Sequence, residues 1–386
     1  MAAGLPRYSR MKRKLLIATD NFLPRWDGIA RFLWEVIPSL MDEYEITVVA
    51  PRHKGEVANL PEIRMVWIGL LPFRIGDFIP ARFAWKTISQ EVDNADLVWI
   101  QTIGPIGSTA IRASHKKGKP LIAFAHSIEW ELVPNALSSR YFRKKIAYHL
   151  TKRLAAGLYS KCHLIMVPTY EVIKKFEWAG IRTAHVLVHL GTNPEHFVPP
   201  SSKVQAKEEL GINPSHTVIG YHGRLAREKD LYTLYRAFQR LLYSHKEVTL
   251  LIVGDGIEEQ KRLFKDKPQI IYAGQQNDVV PYLQAMDIFV LPSLTETTSL
   301  STLEAMSVGL ACVVTKVGYV QKYIREKKNG LFFPKRNSLV LSLKLEWLLK
   351  DPFLRRRLGD EARKTVVEKF SWKTTVRRVK EVLGRF

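Results

Sequence analysis

Short apolar runs alternate along this chain with longer stretches in which apolar positions recur at helical spacing. Residues 15–19, 46–50, 65–69, 97–101, 121–125 and 164–167 form one set of such runs, and 218–221, 248–253, 270–273, 288–291 and 312–315 form a second. Their continuous apolarity predicts strands covered on both faces, as in parallel sheets, and the periodic stretches between them supply crossover helices. Between the two sets, Phe-Val-Pro-Pro-Ser-Ser-Lys at 197–203 has the composition of a linker. The expectation is an α/β chain of two Rossmann-like domains, 11–197 and 204–370, joined by 198–203, with residues 371–386 forming a last basic helix. Met11 directly precedes Lys-Arg-Lys, and residues 1–10 are read as a disordered extension. Ligands of such sheets bind beyond the carboxyl ends of the strands, so two units facing each other share a cleft.

Length agrees with two cores, because 386 residues exceed the roughly 250–300 at which one core stops growing. With 46% apolar and 25% charged residues, a disordered chain is excluded. Charge changes the picture more: 59 lysines and arginines against 37 acids leave a net +22. Such a field suits phosphate-bearing substrates, an anionic membrane face or nucleic acid, and net charge alone does not choose among them. Cys162 and Cys312 lie in apolar runs and read as small buried residues of a reducing compartment. No apolar stretch approaches the ~20 residues of a membrane span. The chain is therefore expected to be cytoplasmic or peripheral on the cytoplasmic membrane face.

Two segments carry chemistry. Gly223-Arg224-Leu225-Ala226-Arg227-Glu228-Lys229 begins where a strand ends and stops where a helix starts. Backbone N–H groups point outward at such a place, and Arg224 and Lys229 add a guanidinium fork and a point charge suited to a diphosphate; an exposed basic loop is the plainer alternative. The second segment is Glu296-Thr-Thr-Ser-Leu-Ser-Thr-Leu-Glu304. A helix starting near Ser299 would hold Glu304 inside it and leave Glu296 in the preceding loop, so that both grip one ligand around a helix N-terminus. Taken singly, Glu296 reads as loop charge and Glu304 as a solvated helix residue.

Together these segments resemble the retaining family-four glycosyltransferases of the GT-B fold (group 1). The matching residues are Gly223-Arg224 with Lys229, Val253-Gly254-Asp255-Gly256, Pro292-Ser293, and Glu296 with Glu304-Ala305-Met306. The resemblance runs from about Leu15 to Trp372 and implies a C-terminal helix crossing back to the first domain. It implies that Arg224 and Lys229 hold the donor diphosphate, that Glu304 bonds the ribose hydroxyls, and that Glu296 bonds hydroxyls of the transferred sugar. It further implies a UDP- or GDP-hexose donor and no metal or other cofactor. The family has an aromatic-Gly pair where this chain has Thr298-Ser299. Ser299 can cap a helix but lacks glycine's bare approach, which puts phosphate contacts through the amides around Leu300 in question and leaves an inactive, nucleotide-binding relative open. Gly254-Asp255-Gly256 alone reads as a structural turn.

In the first domain, Pro24-Arg25-Trp26-Asp27-Gly28-Ile29 stands where the family has a Gly-Gly loop near donor phosphate, and only Gly28 remains. His126 ends the run 121–125 and resembles the family's active-site histidine, which implies sugar positioning; Glu129 is a weaker candidate for acceptor contact. Residues 138–153 carry six lysines or arginines and no acid, interleaved with Tyr141, Phe142, Ile146 and Tyr148. Either the aromatic stripe packs in the core or the segment lies along an anionic membrane, which would imply a lipid or polyprenol acceptor. Residues 71–86 have similar interleaving and would flank the acceptor entrance. Nucleotide-sugar epimerases and phosphorylases share the fold and remain alternatives. A basic nucleic-acid-binding protein ranks below them, since no RNA or DNA motif accompanies the charge and no nucleic-acid partner is expected. Base, sugar, acceptor and oligomeric state are not legible.

Overall fold

The computed structural model describes residues 12–25, 27–55, 62–74, 78–137 and 141–386, with side chains at all of these except 135–137 and 141–143. The expected extension at 1–10 lies outside the described residues. The first sheet contains β1 (Arg13–Ala18), β2 (Tyr44–Pro51), β3 (Arg64–Ile68), β4 (Leu97–Ile100), β5 (Leu121–Phe124), β6 (Leu164–Val167) and β7 (Ala184–Leu187). All pairs are parallel, in the order β3-β2-β1-β4-β5-β6-β7. The second contains β8 (Thr217–His222), β9 (Val248–Val253), β10 (Ile270–Gly274), β11 (Ile288–Leu291), β12 (Ala311–Thr315) and β13 (Leu331–Phe333), parallel in the order β10-β9-β8-β11-β12-β13.

Burial explains why the apolar runs became strands. In β4, Leu97 and Trp99 face one helical layer while Val98 and Ile100 face the other, and all four are buried. A residue that alternates faces yet never meets water must be apolar at every step. The two strands missed by the sequence reading, β7 and β13, are both sheet edges. β7 is half-buried along most of its length and β13 is only three residues long, so neither leaves a continuous apolar run.

Chain order reverses between β1 and β4 in the first sheet and between β8 and β11 in the second. These reversal points open crevices at the carboxyl ends of the strands, where parallel sheets take their ligands. Every candidate site residue of the second half follows β8 or β11, and in the first half Gly28 follows β1 while His126 follows β5.

The junction between the halves differs from the expected linker. Phe197 is already buried in the second half's core, its carbonyl accepting a hydrogen bond from Ser307 Oγ at 2.8 Å, and Lys203 opens the helix Lys203–Glu208. The Pro-Pro-Ser-Ser stretch therefore runs along the second half. The two strands of chain that cross between halves lie side by side: Thr192 N–H donates to Phe370 O and Trp372 N–H to Thr192 O, each at 2.8 Å. A Cβ on Gly191 would sit 2.7 Å from the Phe370 carbonyl oxygen, so only glycine allows this approach. Beyond it, the helix Trp372–Leu383 returns to the first half, burying Trp372, Val379, Val382 and Leu383 against its core.

Candidate active site

Glycine shapes the loop after β8. Gly223 has φ 142°, and a Cβ on Gly254 would lie 2.0 Å from the Gly223 carbonyl oxygen. Gly256 approaches Leu225 as closely, and Leu225 N–H donates to Asp255 O at 2.8 Å. The Gly254-Asp255-Gly256 turn is thus a clamp that holds the Gly223–Leu225 loop in place. Arg224 NH2 lies 2.7 Å from Glu228 Oε1, and Lys229 Nζ lies 2.5 Å from Glu296 Oε1. Lys229 therefore reaches the segment after β11, and Arg224, from the same short loop, borders a cavity that Thr295, Glu296 and Thr297 also line.

That segment is equally constrained. Gly318, at φ 45°, leaves its missing Cβ 2.0 Å from Glu296 O, Tyr319 N–H donates to Thr297 O at 2.9 Å, and the Tyr323 hydroxyl donates to Thr298 O at 2.7 Å. Ser293 Oγ adds a second hydrogen bond to Glu296 Oε1 at 2.7 Å. The helix Leu300–Ser307 then begins where the sequence places it, with Glu304 inside and Glu296 before it. Ser299 does not cap it. It adopts φ 63°, ψ 82°, the left-handed conformation natural to glycine, and its hydroxyl turns to Thr302 Oγ1 at 2.8 Å. The serine that replaces the family's glycine keeps glycine's backbone shape, and among the described residues no side-chain hydrogen bond caps this helix.

Glu304 is only 6% exposed and sits 2.6 Å from His222 Nε2. Burial opposes its charge, but the His222 hydrogen bond and the nearby cations, Arg31 among them, prevail and lower its pKa. Glu304 is therefore a buried, partnered group and Glu296 a half-buried, partnered one, rather than the solvated residue and loop charge that single-residue statistics favour. His222 was not singled out in the sequence; its place at the carboxyl end of β8, beside the reversal point, was the available signal.

On the facing wall Gly28 starts the helix Gly28–Leu40, and a Cβ placed on it would meet Leu300 Cδ1 at 4.0 Å. Leu300 packs against the cores of both halves, so the tips of two helices meet across the cleft. Asp27 accepts from Ile29 N and Ala30 N at 2.9 Å each, occupying the N–H groups that a Gly-Gly loop would leave open. His126 stacks on Phe124 at 4.2 Å and its Nε2 lies 2.9 Å from Gln101 Oε1. Burial lowers its pKa to about 3, which holds it neutral at physiological pH. Glu129 starts the helix Glu129–Leu137, bonded by the Tyr159 hydroxyl at 2.9 Å, and burial pushes its pKa up to about 7.

Two buried polar atoms beside these groups, Gln101 Nε2 and Thr298 Oγ1, have no protein partner among the described residues. Such atoms are costly unless a ligand or water completes them. Ser127, Ile128, Arg224, Lys229, Glu296 and Thr297 border a cavity of about 100 Å³. Ligand pockets usually span roughly 300–1,000 Å³, so this cavity by itself is smaller than a nucleotide sugar needs. Among the described residues no group of three or more His, Cys, Asp or Glu side chains could hold a metal ion.

Comparison with known proteins agrees with this arrangement. Residues 26–196 match the family described as Glycosyltransferase Family 4, and residues 202–365 match Glycosyl transferases group 1. The chain belongs to the group 1 glycosyltransferases. Among its relatives, the alpha-monoglucosyldiacylglycerol synthase of Acholeplasma laidlawii is 27% identical, over 85% of this chain and 86% of that one. A GDP-mannose-dependent monoacylated alpha-(1-6)-phosphatidylinositol monomannoside mannosyltransferase of Corynebacterium glutamicum is 26% identical over 96% of this chain and 98% of its own. The Anabaena protein HepE, solved with UDP-glucose, superposes with a TM-score of 0.78 at 18% identity, covering 97% of this chain and all of that one. That likeness establishes a shared GT-B fold.

Proposed function

We propose that this glycosyltransferase moves a hexose from a UDP- or GDP-linked donor to a lipid acceptor, with retention of anomeric configuration and without a required metal ion. The observation that carries the reading is that Arg224, Lys229 and Glu296 border one small cavity, with Lys229 bonded to Glu296 and the uncapped helix Leu300–Ser307 beginning just beyond it in the chain. As the bond from the anomeric carbon to phosphate breaks, negative charge grows on the leaving diphosphate. Cations and N–H groups already in place stabilise that charge more than they stabilise the intact donor. In the ligand-free state Glu228 and Glu296 neutralise the cations; the donor diphosphate displaces this pairing and frees Glu296 for the sugar hydroxyls. Glu304, fixed by His222, takes the ribose hydroxyls. Neutral His126 orients the sugar and exchanges no proton, consistent with a pKa of about 3.

Two relatives support the lipid acceptor, one named for a glucosyldiacylglycerol product and the other for a phosphatidylinositol mannoside acceptor. The helix Tyr141–Tyr159 supports it independently. Ile146, Leu150 and Leu154, four residues apart on one face, are 47%, 65% and 49% exposed, with Lys145 and Arg153 beside them. Each basic residue near an anionic membrane contributes about 1 kcal/mol, and the apolar row adds burial. Among the described residues no helix is long and apolar enough to cross a membrane.

The test is transfer from UDP- and GDP-hexoses to lipid in anionic vesicles, with the product anomer read by NMR. The expected product keeps the donor's configuration, and Glu296→Ala lowers turnover by about 100-fold. An inverted linkage contradicts retention; undiminished turnover in Glu296→Ala contradicts the role given to that residue.

A further inference from the structure

A second cavity, of about 600 Å³, begins at Thr295 and Glu296 and lies between the helices of the first half and the loops after β11, β12 and β13. Lys144 and Lys145 reach it from the helix Tyr141–Tyr159, Lys175 from the helix Tyr170–Trp178, Lys316 from the end of β12 and Lys335 from beyond β13. Two carboxylates share the lining, and both are engaged: Lys175 Nζ lies 2.7 and 2.8 Å from the two oxygens of Glu131, and Glu296 faces Lys229. Among the described residues Lys145, Lys316 and Lys335 have no carboxylate partner, and Lys316 rests over the Phe332 ring at 5.0 Å. Trp130 and Tyr148 supply apolar wall.

We propose that this cavity is the acceptor subsite and that it is built for an acceptor carrying a phosphate ester; the proposal rests on the transferase reading above and names its acceptor class. The ammonium groups of Lys145, Lys316 and Lys335, brought together from three segments, repel one another unless an anion fills the space between them. A phosphate ester offers one or two negative charges and several acceptor oxygens, which several lysines can share. The donor diphosphate does not account for these lysines, because its cations, Arg224 and Lys229, border the separate, smaller cavity, and Thr295, Glu296 and Glu131 are what the two linings share. The acceptor phosphate then lies among the lysines while the hydroxyl to be glycosylated points at Glu296, where the donor sugar waits. The size suits a ligand pocket. The same helix that lends Lys144 and Lys145 to the cavity presents Ile146, Leu150 and Leu154 outward, which suits a phosphate at the head of a lipid as well as a soluble one.

Inorganic phosphate titrated by calorimetry into wild type, Lys229→Ala and the double variant Lys316→Ser/Lys335→Ser separates this subsite from the donor site. The proposal predicts binding that survives Lys229→Ala and weakens ten-fold or more in the double variant. Binding lost in Lys229→Ala and unchanged in the double variant overturns it while leaving the donor reading intact. Failure of the donor reading registers differently, as a wild type that neither UDP nor GDP stabilises against heat. Transfer assays on two matched pairs name the phosphate source: glycerol 3-phosphate against glycerol, and vesicles containing phosphatidylglycerol against vesicles containing diacylglycerol. A kcat/KM at least ten-fold higher for the phosphorylated member of either pair, with KM raised and kcat retained in the double variant, supports the proposal. No difference within either pair overturns it.

Discussion

The two walls of the cleft finish their helices in opposite ways. On the first wall, Asp27 closes the helix Gly28–Leu40, and Asp20 closes the helix Pro105–Lys117 by accepting from Ile106 N at 2.8 Å and Gly107 N at 3.1 Å. On the second wall, among the described residues, the helix Leu300–Ser307 has no side-chain cap, and its first residue, Leu300, packs against the cores of both halves. Carboxylates differ in the same sense. Glu296 and Glu304 are paired with Lys229 and His222, whereas Asp20 and Glu129 are buried without a cation, and burial raises the pKa of both. The difference teaches which wall is scaffold and which is reactive: charges satisfied by backbone hold the fold, and charges held by exchangeable partners await a ligand.

The largest effect should come from breaking the open wall. Lys229→Ala should lower kcat/KM for transfer by about 10²–10³, since one preplaced donor to developing charge is worth roughly 3–4 kcal/mol; steady-state kinetics check it. Next is the uncompensated carboxylate of the closed wall. Glu129 binds a proton up to about pH 7 when folded but only to about 4.5 when unfolded, so the native state holds more protons between these values. Its contribution is full below about pH 4.5 and is lost as pH rises through 7, by up to about 3 kcal/mol. Glu129→Gln should remove that slope, seen as a Tm advantage over wild type that grows from pH 5 to pH 8. Asp27→Ala should cost about 1 kcal/mol of stability through the lost cap, measured by urea unfolding. The smallest effect is Ser299→Gly, which relieves a left-handed serine but adds unfolded-state freedom, for a net gain of roughly 0.5 kcal/mol with transfer retained.

Much of the fold was legible because parallel strands buried on both faces must be apolar throughout; β6, β9 and β11 have the limits that their runs predict. The edges β7 and β13 were not legible, since an edge strand needs neither length nor continuous burial. In the site, Arg224 with Lys229 and Glu296 with Glu304 stood out because each pair lies within one short segment at the spacing that carries the resemblance, although Lys229 pairs with Glu296 and Glu304 with His222 only across the fold. Three things stayed hidden. Ser299 was expected to cap a helix, and the clamp of Gly318, Tyr319 and Tyr323 instead forces it into glycine's conformation. Asp27 looked like a lost glycine and is a working cap. The lysines at 144, 145, 175, 316 and 335 meet only through tertiary structure, so no local pattern could announce their cavity.

The proposed donor site requires a pyrophosphate held by Arg224 and Lys229 near the uncapped start of the helix Leu300–Ser307. The most direct measurement compares Kd for UDP with UMP, and for GDP with GMP, in wild type and in Lys229→Ala. For the base that the site accepts, the diphosphate should bind at least ten-fold more tightly than the monophosphate, and Lys229→Ala should erase most of that preference. Equal affinity for the two in wild type, or a preference untouched by the substitution, would contradict it.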